Sequence, residues 1–358
     1  MTDKQIKVLI IGGAGMEGRL ITKYLTERGA TVVASLGRKS HLGEDIGTLA
    51  GIDPLGVKLE SADDLEVVLE RVKPDIAVNC AGEFEEIAPQ VRTCINHNAN
   101  VIMLAGDGVF PWLNNPELSD ELNQAAKEHQ VSLFAAGIQD VNWLNLAVVL
   151  SGNAHAINAI YGESWCLLDY CGPAERRNMG IGLSSEAFYE LHKDEESPRS
   201  PYVYSLYQIA KQLGLNITKE VNARREPIFA KTNYYHEFVG EIKEGHVIGC
   251  RLETNIETQE GVQIDGVFVY TFAQEGDTGK QIWRFDGDPP FEYCSPDPRG
   301  DLSTSASVVN RLADVINACR NYTSKDNKII SKEQCQFGIV PLFFGKVVFL
   351  QLNLYLEM

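Results

Sequence analysis

A glycine-rich segment close to the N-terminus restricts the fold of this chain more than any other feature. It follows the apolar run at residues 6–11, precedes a helix-like pattern, and consists of Gly12, Gly13, Ala14, Gly15, Met16, Glu17 and Gly18. The segment satisfies two overlapping spacings, G-x-G-x-x-G from Gly13 and G-x-x-G-x-x-G from Gly12. A turn of this kind between a strand and a helix lets backbone N–H groups bind a pyrophosphate. We therefore predict a dinucleotide-binding loop; a glycine-rich turn without a ligand is the alternative.

Strand-like and helix-like patterns alternate over the first 150 residues. After the opening strand, apolar runs recur at residues 31–35, 57–60, 75–80, 100–105 and 131–136. Apolar strands that alternate with helices are typical of a parallel sheet covered on both faces. The pattern predicts the α/β class, with an N-terminal Rossmann domain built on a doubly wound parallel sheet.

The pattern changes after about residue 156. Residues 251–257 alternate polar with less polar side chains, which is typical of an antiparallel strand with one exposed face. We predict a second α+β domain on an open, mainly antiparallel sheet, with helices near residues 201–213 and 304–318. The predicted boundaries are 1–152 for the nucleotide-binding domain, 153–320 for a substrate and dimerisation domain, and 321–358 for an atypical apolar C-terminal tail.

The charge and the cysteine usage exclude several classes of partner. The chain has 49 acidic and 32 basic residues and a net charge of −17. Nucleic acids and anionic membranes select for basic surfaces, so neither is expected as a partner. Lys346 within the apolar tail argues against a membrane anchor. The eight cysteines form no C-x-x-C pair, so we expect no metal site, and the lack of a signal peptide predicts a cytoplasmic location.

The segment after the second predicted strand indicates which dinucleotide binds. An acidic residue is expected here when the ligand is NAD, because it binds the ribose 2′-hydroxyl. This chain instead has Arg38, Lys39 and Ser40. A guanidinium suits a phosphate, so we predict NADP as the cofactor, with NAD as the alternative. Arg38 and Lys39 could also be a solvated loop pair.

Several segments, taken in order, resemble the family of 2,4-diaminopentanoate dehydrogenase and the native amine dehydrogenases, which are relatives of dihydrodipicolinate reductase. Besides the glycine loop, the matching segments are residues 75–84, 98–102, 180–184, 213–215, 225–227, 287–290, 300–306 and 309–310. The resemblance implies hydride transfer between nicotinamide and a C–N bond. The implied reaction is reversible oxidative deamination of a primary amine, or in reverse the reductive amination of a ketone or aldehyde with ammonia. It also implies a homodimer.

Two segments depart from the family pattern. In these enzymes a Glu-Glu pair follows the fifth strand, whereas this chain has Gly106 and Asp107. We expect Asp107 to act as the acid/base; capping of the following helix is the alternative. After the sixth strand a Gly-x-Asn-Pro-Gly turn is replaced by residues 137–143. There Asp140 could supply the missing carboxylate, and Trp143 could contact the substrate or simply pack in the core.

The resemblance suggests further site residues. Cys80, Ala81 and Gly82 follow the fourth strand, where the family's backbone passes the nicotinamide ribose. Glu163 and Trp165 share one face of a predicted strand, so they could bind an amine, although such a face is also typical of a core or a subunit contact. Thr304 matches a segment near the cleft, with helix capping as the alternative.

Two other functions remain open at this point. A cyclic-imine reductase similar to dihydrodipicolinate reductase would need cations to hold two carboxylates, and four arginines are available at positions 176, 177, 224 and 225. Against it, the chain lacks a His-His-x-x-Lys pattern. A non-catalytic NADP-binding sensor would explain an intact glycine loop beside an altered acid site.

Overall fold

The structure, a computed structural model, describes residues 5–170, 179–195, 198–237, 239–274, 279–296 and 299–318. The predicted tail at 321–358 and the arginines at positions 176 and 177 lie outside these residues. Among the described residues, no helix is long and apolar enough to cross a membrane.

The first sheet has six parallel strands in the order β3-β2-β1-β4-β5-β6. Its strands are β1 (Lys7–Ile11), β2 (Thr31–Gly37), β3 (Leu59–Ser61), β4 (Ile76–Asn79), β5 (Asn100–Met103) and β6 (Leu133–Ala135). The helices of this part are α1 (Met16–Glu27), α2 (Ile46–Leu49), α3 (Leu65–Val72), α4 (Phe84–Asn96), α5 (Pro116–His129) and α6 (Leu146–Ser151). The order is that of a doubly wound Rossmann sheet, which confirms the predicted class.

The strand order places a ligand-binding crevice at the carboxyl ends of the strands. From β1 the chain moves outward to β2 and β3, then returns to pair β4 on the opposite side of β1. In open α/β sheets, ligands bind outside the carboxyl ends where the strand order reverses. The segments that follow β1, β4, β5 and β6 therefore form the floor of a common cleft.

The second sheet has seven strands in the order β15-β14-β7-β13-β12-β8, with β9 also pairing with β12. Its strands are β7 (Ala156–Leu167), β8 (Ile217–Asn222), β9 (Glu226–Phe229), β12 (Val247–Thr258), β13 (Gln263–Thr271), β14 (Lys280–Asp288) and β15 (Phe291–Pro296). Only the β7–β13 pair is parallel within this sheet. The predicted open, mainly antiparallel sheet is thus confirmed. A separate hairpin contains β10 (Tyr234–His236) and β11 (Gly240–Ile242).

One face of the second sheet is covered and the other is half exposed. In the described part of the chain, three α-helices follow β7: α7 (Ser185–Leu191), α8 (Tyr202–Gln212) and α9 (Gly300–Ala318). Helix α8 covers one face, where Gly162 leaves room for Tyr202 and Trp283 and Gly266 for Leu206. Because side chains alternate along a strand, the residues on either side of Gly162 point to the other face.

Helix α9 packs on the first sheet although it comes from the region predicted as the second domain. Its buried residues Val308, Leu312 and Val315 join Val8 and Ile10 of β1 in one apolar cluster. An apolar helical stripe predicts that a helix is buried, but it does not say which sheet covers it. The domain boundaries remain a prediction. The apolar core that contains β1 also includes residues of α9 up to Ile316.

A π-helical turn after β6 is a further feature that the sequence did not predict. Residues Gln139–Asn145, directly after β6, form a π-helical turn that runs into α6. Such turns are uncommon and are frequent at functional sites. Its position brings the segment that replaces the family's Gly-x-Asn-Pro-Gly turn to the carboxyl end of the first sheet.

Candidate active site

The glycine loop has the conformation that a dinucleotide-binding turn requires. Gly12 adopts φ +88°, and its N–H donates to the Leu36 carbonyl at 2.8 Å. A Cβ on Gly18 would collide with the Gly12 carbonyl and the Gly13 backbone. Gly12 therefore makes the tight turn and Gly18 permits α1 to pack against β1.

The start of α1 is suited to an anion. Gly15 is the residue before the helix, and no side chain caps the first N–H groups. A Cβ on Gly15 would contact only the Gly12 carbonyl, and both Gly15 and Met16 are exposed. Uncapped N–H groups at a helix N-terminus bind phosphates, so the residues present fit the pyrophosphate of a dinucleotide.

Three exposed residues follow the carboxyl end of β2, and they are the predicted Arg38, Lys39 and Ser40. None of them has a hydrogen bond or ion pair to another residue in the described part of the chain. One further cation was missed by the sequence analysis: Arg19 lies beside this segment, with Nη2 3.3 Å from His41 Nε2. In the sequence, the only indication of this cation was that an arginine directly follows Gly18.

The residues after β4 lie against the glycine loop. The Cβ position of Gly12 is 3.4 Å from Cys80 and 3.5 Å from Ala81. Gly82 adopts φ +75°, and the Ala81 N–H donates to Asn79 Oδ1 at 3.0 Å. Burial raises the pKa of the Cys80 thiol far above its ordinary range, which favours the neutral thiol over the thiolate. Their position agrees with the backbone passage that the family resemblance implies.

Asp107 lies at the carboxyl end of β5, in a short 3-10 turn over Asp107–Val109, and is 8% exposed. Its Oδ1 accepts a hydrogen bond from the Phe84 N–H at 3.0 Å. Asp107 therefore caps α4, not the helix that follows β5. Oδ2 has no partner among the described residues, which leaves one carboxylate oxygen available to a ligand.

The neighbours of Asp107 on α8 were missed by the sequence analysis. Tyr204 accepts a hydrogen bond from Asn114 Nδ2 at 2.7 Å, across 90 residues of sequence. Burial, together with the charge of Asp107, raises the pKa of Tyr204 to about 12. The phenol of Tyr204 therefore stays neutral within range of the Asp107 charge. No local pattern in the sequence could have indicated this pair.

Asp140 is fully engaged in a buried ion pair. Arg311 of α9 donates to it twice, from Nε at 2.7 Å and from Nη2 at 3.0 Å. Ser307 and Asn145 donate at 3.2 and 2.6 Å. Burial raises the pKa of Asp140 above its ordinary value, and the surrounding donors oppose the rise. With both oxygens occupied, this geometry favours a role in holding α9 to the π-helical turn over acid/base chemistry.

Trp143 belongs to the segment that follows β6, and Thr304 of α9 contacts that segment. The indole of Trp143 is 6% exposed and packs edge-on against Tyr202 and Phe268. Its buried N–H has no acceptor in the described part of the chain. Thr304 lies inside α9, so it is not the helix cap, and its Oγ1 accepts from the Ile138 N–H at 3.1 Å.

Glu163 and Trp165 do not join this cleft. They lie on the face of the second sheet opposite α8, where Glu163 accepts from Trp165 Nε1 at 2.7 Å and pairs with Lys280 at 2.9 Å. Tyr161 donates to the same carboxylate at 2.6 Å. Within one chain, the structure does not bring this cluster together with Asp107 or the glycine loop.

Glu17, predicted only as a member of the loop, has a distinct environment. Its Oε2 accepts a hydrogen bond from Ser305 of α9 at 2.6 Å. Burial raises the pKa of Glu17 from 4.5 to about 7, Asp301 adds to the rise, and the Ser305 hydrogen bond opposes it. No group of three or more metal-ligating side chains occurs among the residues that the structure describes.

A Rossmann sheet with this loop, joined to a second sheet domain, defines a nicotinamide-dependent oxidoreductase. The chain belongs to the 2,4-diaminopentanoate dehydrogenase family, since the model of that family's C-terminal domain matches residues 143–330. The model of the dihydrodipicolinate reductase N-terminus matches residues 6–136. Both the predicted resemblance and the NAD(P)-dependent class are confirmed.

Similar proteins support this assignment. The 2,4-diaminopentanoate dehydrogenase of Acetoanaerobium sticklandii is 27% identical over 331 residues, which cover 88% of this chain and 91% of that protein. The solved amine dehydrogenase from Mycobacterium smegmatis is 28% identical, with a TM-score of 0.80 over 88% of this chain and 93% of that one. A 4-hydroxy-tetrahydrodipicolinate reductase of Methanocaldococcus jannaschii is 40% identical over 145 residues, which cover 37% of this chain and 49% of the reductase.

Proposed function

We propose that this chain is an NADP-dependent amine dehydrogenase that catalyses reversible oxidative deamination of a primary amine. In reverse it aminates a ketone or aldehyde with ammonia. The observation that carries the proposal is Asp107, a buried carboxylate with one unoccupied oxygen after β5. It lies at the same sheet edge as the glycine loop, in a family that includes an amine dehydrogenase of known structure.

Asp107 has two tasks in this proposal. The Phe84 N–H holds Oδ1 and so orients the carboxylate. Oδ2 binds the substrate ammonium group, or removes a proton from the water that hydrolyses the imine. When bound, the nicotinamide supplies the hydride acceptor or donor. Burial of the carboxylate strengthens its attraction for a cation, because little water screens the charge.

The Asp107→Asn variant tests this role. The amide still accepts the Phe84 hydrogen bond, so the fold and cofactor binding should persist. We expect kcat for ammonia-dependent NADPH oxidation with a ketone panel to fall by about 10²–10⁴-fold. Undiminished turnover would remove Asp107 from the mechanism. NADPH oxidation by the parent protein without ammonia would favour a cyclic-imine reductase, and NADPH binding without any turnover would favour a sensor.

The preference for NADP is assigned to Arg38, Lys39 and Ser40, with Arg19 beside them. The three side chains that follow β2 have no partner among the described residues, so they can reach the 2′-phosphate. Arg38→Ala should weaken NADPH binding by roughly 10–100-fold, the value of a charge-assisted hydrogen bond. NADH affinity, measured in parallel by nicotinamide fluorescence, should stay constant; equal loss of both would contradict the assignment.

We also propose a homodimer formed through the half-exposed face of the second sheet. The cluster around Glu163, with Trp165, Tyr161 and Lys280, then becomes a subunit contact. Aromatic side chains with satisfied charges are typical of the centre of such interfaces. Sedimentation analysis should give twice the chain mass, and Trp165→Glu should shift the protein to monomers; a monomeric parent protein would contradict this proposal.

A further inference from the structure

One carboxyl group in the glycine loop is in an environment that the proposed reaction does not use. Glu17 lies in the first turn of α1, within the segment whose N–H groups face a pyrophosphate. Ser305, itself fully buried, holds Glu17 Oε2 at 2.6 Å. Oε1 has no partner among the described residues. One oxygen is thus fixed by α9, and the other remains available beside the cofactor loop.

The charges around Glu17 are negative or already paired. Asp301 of α9 lies close enough to raise its pKa, and Arg299 neutralises Asp301 through hydrogen bonds of 3.1 and 2.9 Å. Cys80, after β4, is near enough to be affected by the Glu17 charge but is held as a neutral thiol by burial. Among the described residues, no cation forms an ion pair with Glu17.

A bound dinucleotide would add further negative charge at this place. The pyrophosphate binds at the N-terminus of α1, within one turn of Glu17. An ionised carboxylate there would repel it, whereas a neutral carboxyl can donate a hydrogen bond to a phosphate oxygen or a ribose hydroxyl.

We propose that Glu17 is a proton-binding residue of the dinucleotide site, which takes up a proton from solvent when the cofactor binds. The proton adds to the Glu17 carboxylate, no bond to carbon or phosphorus changes, and the reverse step releases the proton with the cofactor. The inference rests on the dinucleotide site and not on the amine substrate, so it can fail while the proposed reaction holds.

The direction in which cofactor affinity changes with pH follows from the linkage between cofactor binding and protonation of Glu17. In the free protein the pKa of Glu17 is about 7, and the pyrophosphate raises it further. Cofactor affinity is therefore full below pH 7 and decreases as the pH rises toward the pKa of the bound state. The decrease approaches tenfold per pH unit in that window, because one proton accompanies binding.

Calorimetric titration with NADPH tests the proposal directly. NADPH is chosen because its nicotinamide ring is uncharged, and pH 7.5 and 8.5 are chosen because phosphomonoesters are fully ionised there. The titration is repeated in buffers of different ionisation enthalpy, which yields the number of protons bound per NADPH. We expect more than about half a proton at pH 7.5, because Glu17 of the free protein is mostly ionised there.

Two matched variants complete the experiment. Glu17→Gln keeps the size and the Ser305 contact, and it should abolish the proton uptake and flatten the pH dependence of the Kd. Glu27→Gln changes an exposed glutamate at the other end of the same helix and should behave as the parent protein. Proton uptake that persists in Glu17→Gln, or tight NADPH binding without uptake in the parent protein, would overturn the inference. Failure to bind NADPH at all would instead contradict the dinucleotide site.

Discussion

At the scale of single residues, the account depends on two carboxyl groups with different surroundings. Asp107 has a hydrogen-bond donor on one oxygen and no partner at the other among the described residues, so that oxygen is available to a substrate. Glu17 is partly buried near Asp301 and, among the described residues, accepts a hydrogen bond only from the Ser305 hydroxyl, so its neutral form is favoured. The sequence indicated both positions, because Glu17 lies within the glycine motif and Asp107 directly follows an apolar strand pattern, and both patterns are local. It could not predict the partners Tyr204 and Ser305, which come from distant segments.

The raised pKa of Glu17 predicts a pH-dependent stability. The folded-state pKa is about 7 and the ordinary pKa of a glutamate is 4.5, so this residue destabilises the fold increasingly as the pH rises from about 4.5 to 7. Glu17→Gln should leave the free energy of unfolding unchanged near pH 4. At pH 8 it should increase that free energy by about 3 kcal/mol. Urea unfolding at both pH values measures the difference, and a gain of equal size at both would contradict the raised pKa.

At the scale of helices and turns, α9 and the π-helical turn join the two parts of the chain. Arg311 of α9 and Asp140 of the turn form the buried ion pair described above, and Val308 of α9 packs on the first sheet. The sequence predicted the helix from its apolar stripe. It could not predict the sheet on which the helix docks, because a stripe carries no partner information, and the π-helical turn has no sequence pattern known to us.

The ion pair should therefore dominate the docking of α9. Arg311→Met leaves the Asp140 charge buried without its partner, and we expect a loss of about 3–5 kcal/mol in the free energy of unfolding. The double variant Asp140→Leu with Arg311→Met removes both charges and should recover most of that loss. Urea denaturation of the three proteins checks this. If the double variant is active in ammonia-dependent NADPH oxidation, Asp140 has no acid/base role.

The glycine loop offers a test at the same scale. A Cβ on Gly18 would overlap the Gly12 carbonyl and the Gly13 backbone, so Gly18→Ala must push α1 away from β1. We expect NADPH affinity to fall at least tenfold and the fold to be weakened. Gly29→Ala is a control for the glycine change itself, because Gly29 follows α1 at φ +75° and no atom lies within 4 Å of its Cβ position. It should lower stability but leave the NADPH affinity of the folded protein unchanged.

At the scale of the whole molecule, the fold class followed from the periodicity of apolar residues. Continuous apolar runs indicated the parallel first sheet, and alternation indicated the half-exposed second sheet. The parallel β7–β13 pair was not predicted, because pairing across about 100 residues leaves no local pattern. For the same reason, the sequence did not place Glu163 and Trp165 on the face away from the cofactor cleft.

In the proposed reaction, the nitrogen of ammonia becomes bonded to carbon while NADPH is oxidised. The most direct measurement is mass spectrometry of the amine formed from a ketone, ¹⁵N-labelled ammonium and NADPH. We expect an amine that carries the ¹⁵N label, formed in equal amount to the NADPH consumed. NADPH consumption that yields an alcohol, or any product without the label, would contradict it.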